Sequence, residues 1–185
     1  MPSPGAAHEQ ALVITVPAVE PLVATIRDQH DPTAALGMPA HITINYPFLP
    51  QREVSPEVFA ILAELCARTP SFTFRLTEVR RFPTVLYLAP DPPAMFEQLI
   101  AAVASRFPDS PPYGGRFPQI VPHLTVAQID DRSALDQVAR EFQHAVRAHL
   151  PVTCRATEVT LLHNPPGLWE TREVFALGKE SSPTG

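Results

Sequence analysis

Lysine is almost missing from this chain: Lys179 is the only one. Positive charge is carried by arginine, and the formal net charge is −5. That balance excludes a protein that coats duplex DNA by bulk electrostatics, although a local basic pocket for one small anion remains open. Cysteine is scarce too. Cys66 and Cys154 lie far apart and form no CxxC or CxxH pair, so free thiols in a reducing compartment are expected. No uninterrupted apolar run is long enough to span a bilayer. The opening "MPSPGAAHEQ" has no basic stretch followed by an apolar core, so no signal peptide is read there. The expectation is a cytoplasmic protein with no membrane partner. There is no Gly-rich phosphate loop of the GxxxxGK[ST] type and no GxSxG elbow.

What the chain does have is a hydrophobic content of 45% with 18% charged residues over 185 positions, the profile of a globular domain. Elements alternate along it. "ALVITVPAV" (11–19) is rich in β-branched residues and reads as a strand; Leu22, Val23 and Ile26 mark a helix after it. "HITINYPF" is a second strand. "SPEVFAILAELCAR" opens with a Ser55 cap and Pro56, then carries Val58, Ile61, Leu62 and Leu65 on one helical stripe. A hairpin is predicted over "FTFRLTEVRRFPTVLYLAP". A helix follows, with Phe96, Leu99, Ile100 and Val103 inward. "PDSPPYGGRFPQ" (108–119) is a Pro- and Gly-dense loop, and "PHLTVAQI" a strand. Ser133 and Asp136 form an S-x-x-D capping pattern before a helix carrying Leu135, Val138, Phe142 and Val146. Two strands, "VTCRATEVTLL" and "TREVFALG", flank an "HNPPG" turn. The fold class is α+β. Residues 1–10 and 179–185 are expected as flexible ends, and 11–178 as one domain.

Two phrases echo each other. "PAHITINYPF" (39–48) and "VPHLTVAQ" (121–128) both hold His-x-Thr followed by an apolar residue. "FTFRLTEV" (72–79) and "VTCRATEV" (152–159) share Thr, Arg, Thr, Glu and Val. The offsets are nearly equal, which points to an internal duplication and two lobes about a pseudo-two-fold axis. Each lobe is expected as a small, mainly antiparallel sheet with helices on its outer face and a cleft between. Strand side chains alternate, so His41 and Thr43 share one face, as do His123 and Thr125. A pseudo-two-fold would bring two imidazoles and two hydroxyls to one small volume. In-line displacement at phosphorus needs a base and an acid on opposite sides, and histidine serves as either near neutral pH. Threonine hydroxyls can donate to the non-bridging oxygens.

With these motifs the sequence resembles the 2H phosphoesterases, which include the bacterial 2'-5' RNA ligase and 2',3'-cyclic phosphodiesterase group. The resemblance spans roughly 11–178. It rests on "HITI" and "HLTV", on "RFPTVLYL" and on "GRFPQIVPHLTVA". It implies two lobes enclosing a cleft, His41 and His123 as an acid/base pair, and Thr43 and Thr125 as phosphate ligands. The implied substrates are RNA ends or small nucleotides bearing 2',3'-cyclic phosphates or 2'-5' linkages. No cofactor and no metal are expected, because neither histidine has a second His or a carboxylate at ligand spacing. A monomer is expected.

Arg116, in the loop before the second motif, is a candidate clamp on phosphate or nucleotide, or else a solvated side chain. Tyr113 either stacks on a base or closes the loop, the second being favoured. Arg75 and Arg155 hold matching repeat positions and either draw a polyanion toward the cleft or pair with nearby acids. His163 is read as a turn residue. Two rival functions remain: a module of the same fold that binds an RNA end or nucleotide without turnover, and a metal-dependent hydrolase using both histidines as ligands.

Overall fold

The computed structural model describes residues 9–179, so expectations for the first eight residues and the last six lie outside it. Eight strands and four α-helices follow in chain order: β1 (Gln10–Thr15), α1 (Glu20–His30), β2 (His41–Asn45), α2 (Pro56–Arg68), β3 (Phe72–Arg81), β4 (Val85–Asp91), α3 (Ala94–Arg106), β5 (Leu124–Gln128), α4 (Arg132–Val146), β6 (Val152–Ala156), β7 (Glu158–His163) and β8 (Glu170–Ala176). The α+β class holds.

Where two small sheets were expected, the strands form one continuous sheet in the order β6-β3-β4-β5-β2-β1-β7-β8, antiparallel throughout. It is joined at its middle by β2 and β5, the strands of the two His-x-Thr phrases. Only Thr157 separates β6 at one edge from β7 near the other, so the sheet has to curl. A bridge between Pro70 and Gly178 draws the two ends together, with Ser71 N–H donating to Gly178 O at 2.8 Å.

Matching residues of the echoed phrases are cross-strand partners at two places in the sheet. In the centre Ile42 pairs with Leu124, its counterpart in the second phrase. At the edge Phe74 pairs with Cys154, its counterpart in the "TEV" echo, and Thr73↔Arg155 is mirrored by Arg75↔Thr153. The two pairings do not share one axis: a two-fold between β2 and β5 would carry β3 onto β7 and β6 onto β8. Among the helices, α1 packs on β5, α3 on β2, α2 on β8 and α4 on β4.

One face of the sheet and these helices enclose the main core. Leu12, Ile14, Ile42, Ile44, Leu88, Leu124 and Val126 point into it. Phe96 of α3 meets Phe72 and Phe74 edge-on, with centroids 5.0 and 4.9 Å apart, the geometry the ring quadrupoles favour. α2 starts as its sequence predicts, with Val58 N–H donating to the Ser55 hydroxyl at 3.4 Å. α4 does not. Its cap is Asp131, whose carboxylate accepts from Ala134 N–H at 2.7 Å, while Asp136 pairs with Arg81. The helix begins one residue before Ser133, so Ser133 already lies inside its first turn and cannot cap it.

Candidate active site on the open face of the central strands

Because Ile42 and Leu124 point into the core, their neighbours point the other way. His41, Thr43, His123 and Thr125 are all half-buried on the open face. Continuing the Ile42↔Leu124 register by one residue in each direction sets His41 toward Thr125 and Thr43 toward His123. Each histidine thus lies across the strand pair from the other motif's threonine. The four side chains share one sheet face rather than standing on separate walls.

Both rings are tethered in the same way. His41 Nδ1 lies 2.7 Å from the carbonyl of Pro39, and His123 Nδ1 lies 2.8 Å from the carbonyl of Val121. A carbonyl only accepts, so each Nδ1 carries the proton. In the neutral ring that leaves Nε2 with a free lone pair, ready to take a proton or, once protonated, to give one. Burial lowers His41 from an ordinary imidazole value to about 4. The Pro39 bond and Asp31 oppose that shift, while Arg27 and His123 add to it. The His123 contribution shows that the two rings sense each other's charge. His123 is also lowered by burial, against the Val121 bond.

Aromatic rings flank the four polar residues on both sides. Tyr87, cross-strand partner of Thr125, stacks on Phe82 at 4.4 Å, and both rings meet His123 edge-on at 5.5 and 5.1 Å. On the other side Val13, partner of Thr43, belongs to an apolar cluster with Ala11, Met38, Leu162 and Trp169. Tyr46 meets Trp169 edge-on there at 6.2 Å.

The Pro-Gly loop is stitched to the end of β2. Asn45 Nδ2 donates to Ser110 O at 2.9 Å, and Tyr113 N–H donates to Tyr46 O at 2.6 Å. Tyr113 is left-handed at φ 53°, a conformation a tyrosine seldom adopts, followed by left-handed Gly114 and Gly115. Thr43 lies near enough to the Tyr113 phenol to oppose the upward shift that burial gives it. Burial raises the phenol, so it stays protonated at neutral pH. Arg116 donates from Nε to Tyr113 O at 3.1 Å and is exposed at the mouth, where its charge reaches Tyr46. Phe117 is 54% exposed and meets Tyr113 edge-on.

The remaining candidates fall elsewhere. Arg75 pairs with Asp91 at 3.1 Å on the exposed strand surface, and Arg155 lies opposite Thr73 near that edge. His163 ends β7, paired with Glu170, rather than sitting in the turn. Among the described residues, no group of three or more His, Cys, Asp or Glu is placed to hold a metal. No helix there is long and apolar enough to cross a membrane.

A sequence model of the 2'-5' RNA ligase superfamily matches residues 15–166, a stretch that includes both His-x-Thr motifs. The chain belongs to that superfamily. A Bacillus cereus relative, provisionally named a phosphoesterase, is 29% identical over 83% of this chain and 87% of its own. A similarly named Bacillus licheniformis protein is 29% identical over 82% and 88%. Escherichia coli LigT crystallised with 3'-AMP superposes with a TM-score of 0.58 at 23% identity, covering 92% of this chain and 98% of LigT. TT0787 of Thermus thermophilus gives 0.58 at 16% identity, over 94% and 100%. These two structures share this chain's fold. LigT has also been crystallised with NADP+ and with ATP.

Proposed function

We propose that this superfamily member is a phosphoesterase that works without a metal, cleaving or in reverse forming a 2',3'-cyclic phosphate or 2'-5' linkage at an RNA end or in a small nucleotide. The matched tethering of His41 and His123, with both Nε2 atoms free on one face, carries the reading. In hydrolysis of a cyclic phosphate, one imidazole takes a proton from the attacking water. A P–O bond forms on that side and one ring P–O bond breaks on the other, where the second imidazole protonates the leaving oxygen. Thr43 and Thr125 donate to the non-bridging oxygens as charge builds on them. Arg116 supplies the cation at the mouth, and the Phe82–Tyr87 stack offers an aromatic surface beside the reacting groups.

The names of the relatives and the nucleotides held by LigT support the same class. The deciding experiment is hydrolysis of 2',3'-cyclic nucleotides, with 2'-5' dinucleotides alongside, in excess EDTA. Turnover that survives the chelator and is lost in His41→Ala and His123→Ala supports the proposal. Saturable binding without product returns the reading to a binding module. Activity that requires added metal overturns the mechanism.

A further inference from the structure

Arg27 is a buried cation that the chemistry above does not use. It lies in the last turn of α1 and is 3% exposed, as is its partner Asp31. Its Nε donates to Asp31 Oδ2 at 3.1 Å, and one terminal nitrogen lies 3.0 Å from the same oxygen. The other carboxylate oxygen of Asp31 accepts from Thr33 N–H at 3.0 Å and the Thr33 hydroxyl at 2.7 Å. Arg27 also donates to the Met38 carbonyl at 2.9 Å. Its remaining nitrogen is 3.8 Å from Glu20 Oε1, which accepts from Ala40 N–H at 2.5 Å.

The two backbone groups held in this way, Met38 C=O and Ala40 N–H, flank Pro39. Proline has no N–H of its own and a nearly fixed φ, so its neighbours decide where its carbonyl points. That carbonyl is the His41 tether. The other tether has a different setting: Val121 lies in an exposed stretch and is itself 40% exposed. Stability alone is a weak reason for the Arg27 arrangement, because well-packed apolar residues often replace a buried ion pair without loss.

We propose that Arg27 is a positioning residue for His41. With Asp31 and Glu20 it clamps the Met38–Ala40 backbone, and the clamp fixes the Pro39 carbonyl that sets the orientation and tautomer of the ring. This rests on the acid/base reading of His41. The charged and titratable groups acting on His41 are Arg27 and Asp31 from α1 and His123 beside β5, while Glu20 bonds the neighbouring Ala40 N–H.

The test pairs ring NMR with kinetics. The variant Arg27→Met/Asp31→Leu removes both buried charges together, which avoids stranding either one. The 15N shifts of His41 and His123 report the tautomer of each ring. The clamp predicts that His41 loses its single Nδ1–H signature while His123 keeps its own. It also predicts kcat lower by about tenfold or more with KM changed far less, since misplacing a reacting group acts on the chemical step. Glu20→Gln, at a half-exposed site, should move the same readouts in the same direction by less, and it covers the case in which the double variant fails to fold. A folded variant with unchanged His41 shifts overturns the proposal. The NMR arm needs no turnover, so a wild type that proves inactive refutes the functional reading without deciding this one.

Discussion

Ile42 and Leu124, matching residues of the two His-x-Thr phrases, are each other's cross-strand partners at the centre of the sheet. Both side chains lie in the core. The antiparallel register therefore sets each histidine across from the other motif's threonine.

The proposed acid/base chemistry requires both imidazoles. His41→Ala and His123→Ala should each lower kcat on a 2',3'-cyclic nucleotide by roughly 10²–10⁴-fold. The double variant should fall by much less than the product of the two effects, because acid and base act in one step. Single-turnover rates in EDTA measure this.

The pH dependence should lie on the acid side. Burial lowers His41 to about 4 and moves His123 down as well, so near neutrality both rings are neutral in the free protein. Catalysis needs one protonated and one neutral ring, and that population grows as pH falls below the ordinary imidazole value of 6.5. The kcat/KM optimum should therefore lie below pH 6.5. The kcat profile should sit higher, because a bound phosphate anion favours protonated imidazole. A kcat/KM optimum above pH 6.5 contradicts the assignment.

The same shifts bear on stability. The fold prefers neutral His41, so its contribution is fully present above pH 6.5 and lost as pH falls toward about 4. His41→Gln should flatten the dependence of Tm on pH across that window. Thermal melts at several pH values test it, and parallel slopes for variant and wild type would refute it.

The hydroxyls should separate by role. Thr43→Val and Thr125→Val each remove a donor to the developing oxyanion and should cost on the order of 10²-fold in kcat. Tyr113→Phe removes only a hydroxyl near Thr43, so its effect should be smaller than that of Thr43→Val. Comparison of kcat among the three variants decides the order.

Closure of the sheet has its own point of failure. A Cβ at Gly178 would collide with the Ala67 carbonyl, where Gly178 N–H donates to Cys66 O and Thr69 O. Gly178→Ala should lower stability by about 1–3 kcal/mol, as backbone-strain substitutions do. Urea titration measures the loss.

Much of the site was legible because strands alternate: His41 with Thr43 and His123 with Thr125 needed only period-two geometry. The helical stripes and the Ser55 cap were equally local. The single sheet was not, since nothing in "HITI" or "HLTV" says whether the two strands face each other or pair. Tyr113 was named as a loop residue, but its approach to Thr43 was out of reach because tyrosine carries no preference for a left-handed backbone. Phe82 and Tyr87 meet His123 only through the β4–β5 register. Arg27 carried a signal in its i,i+4 spacing to Asp31, but that pattern also describes ordinary surface pairs.

The pairing of β3 with β6 has an implication for cutting the chain. Strands from the first half of the sequence interleave in the sheet with strands from the second. Cleavage between β4 and α3, midway along the gene, would leave β3 without β6, β2 without β5 and β1 without β7. Neither fragment would keep a complete sheet, whereas the two mixed together could rebuild it by complementation.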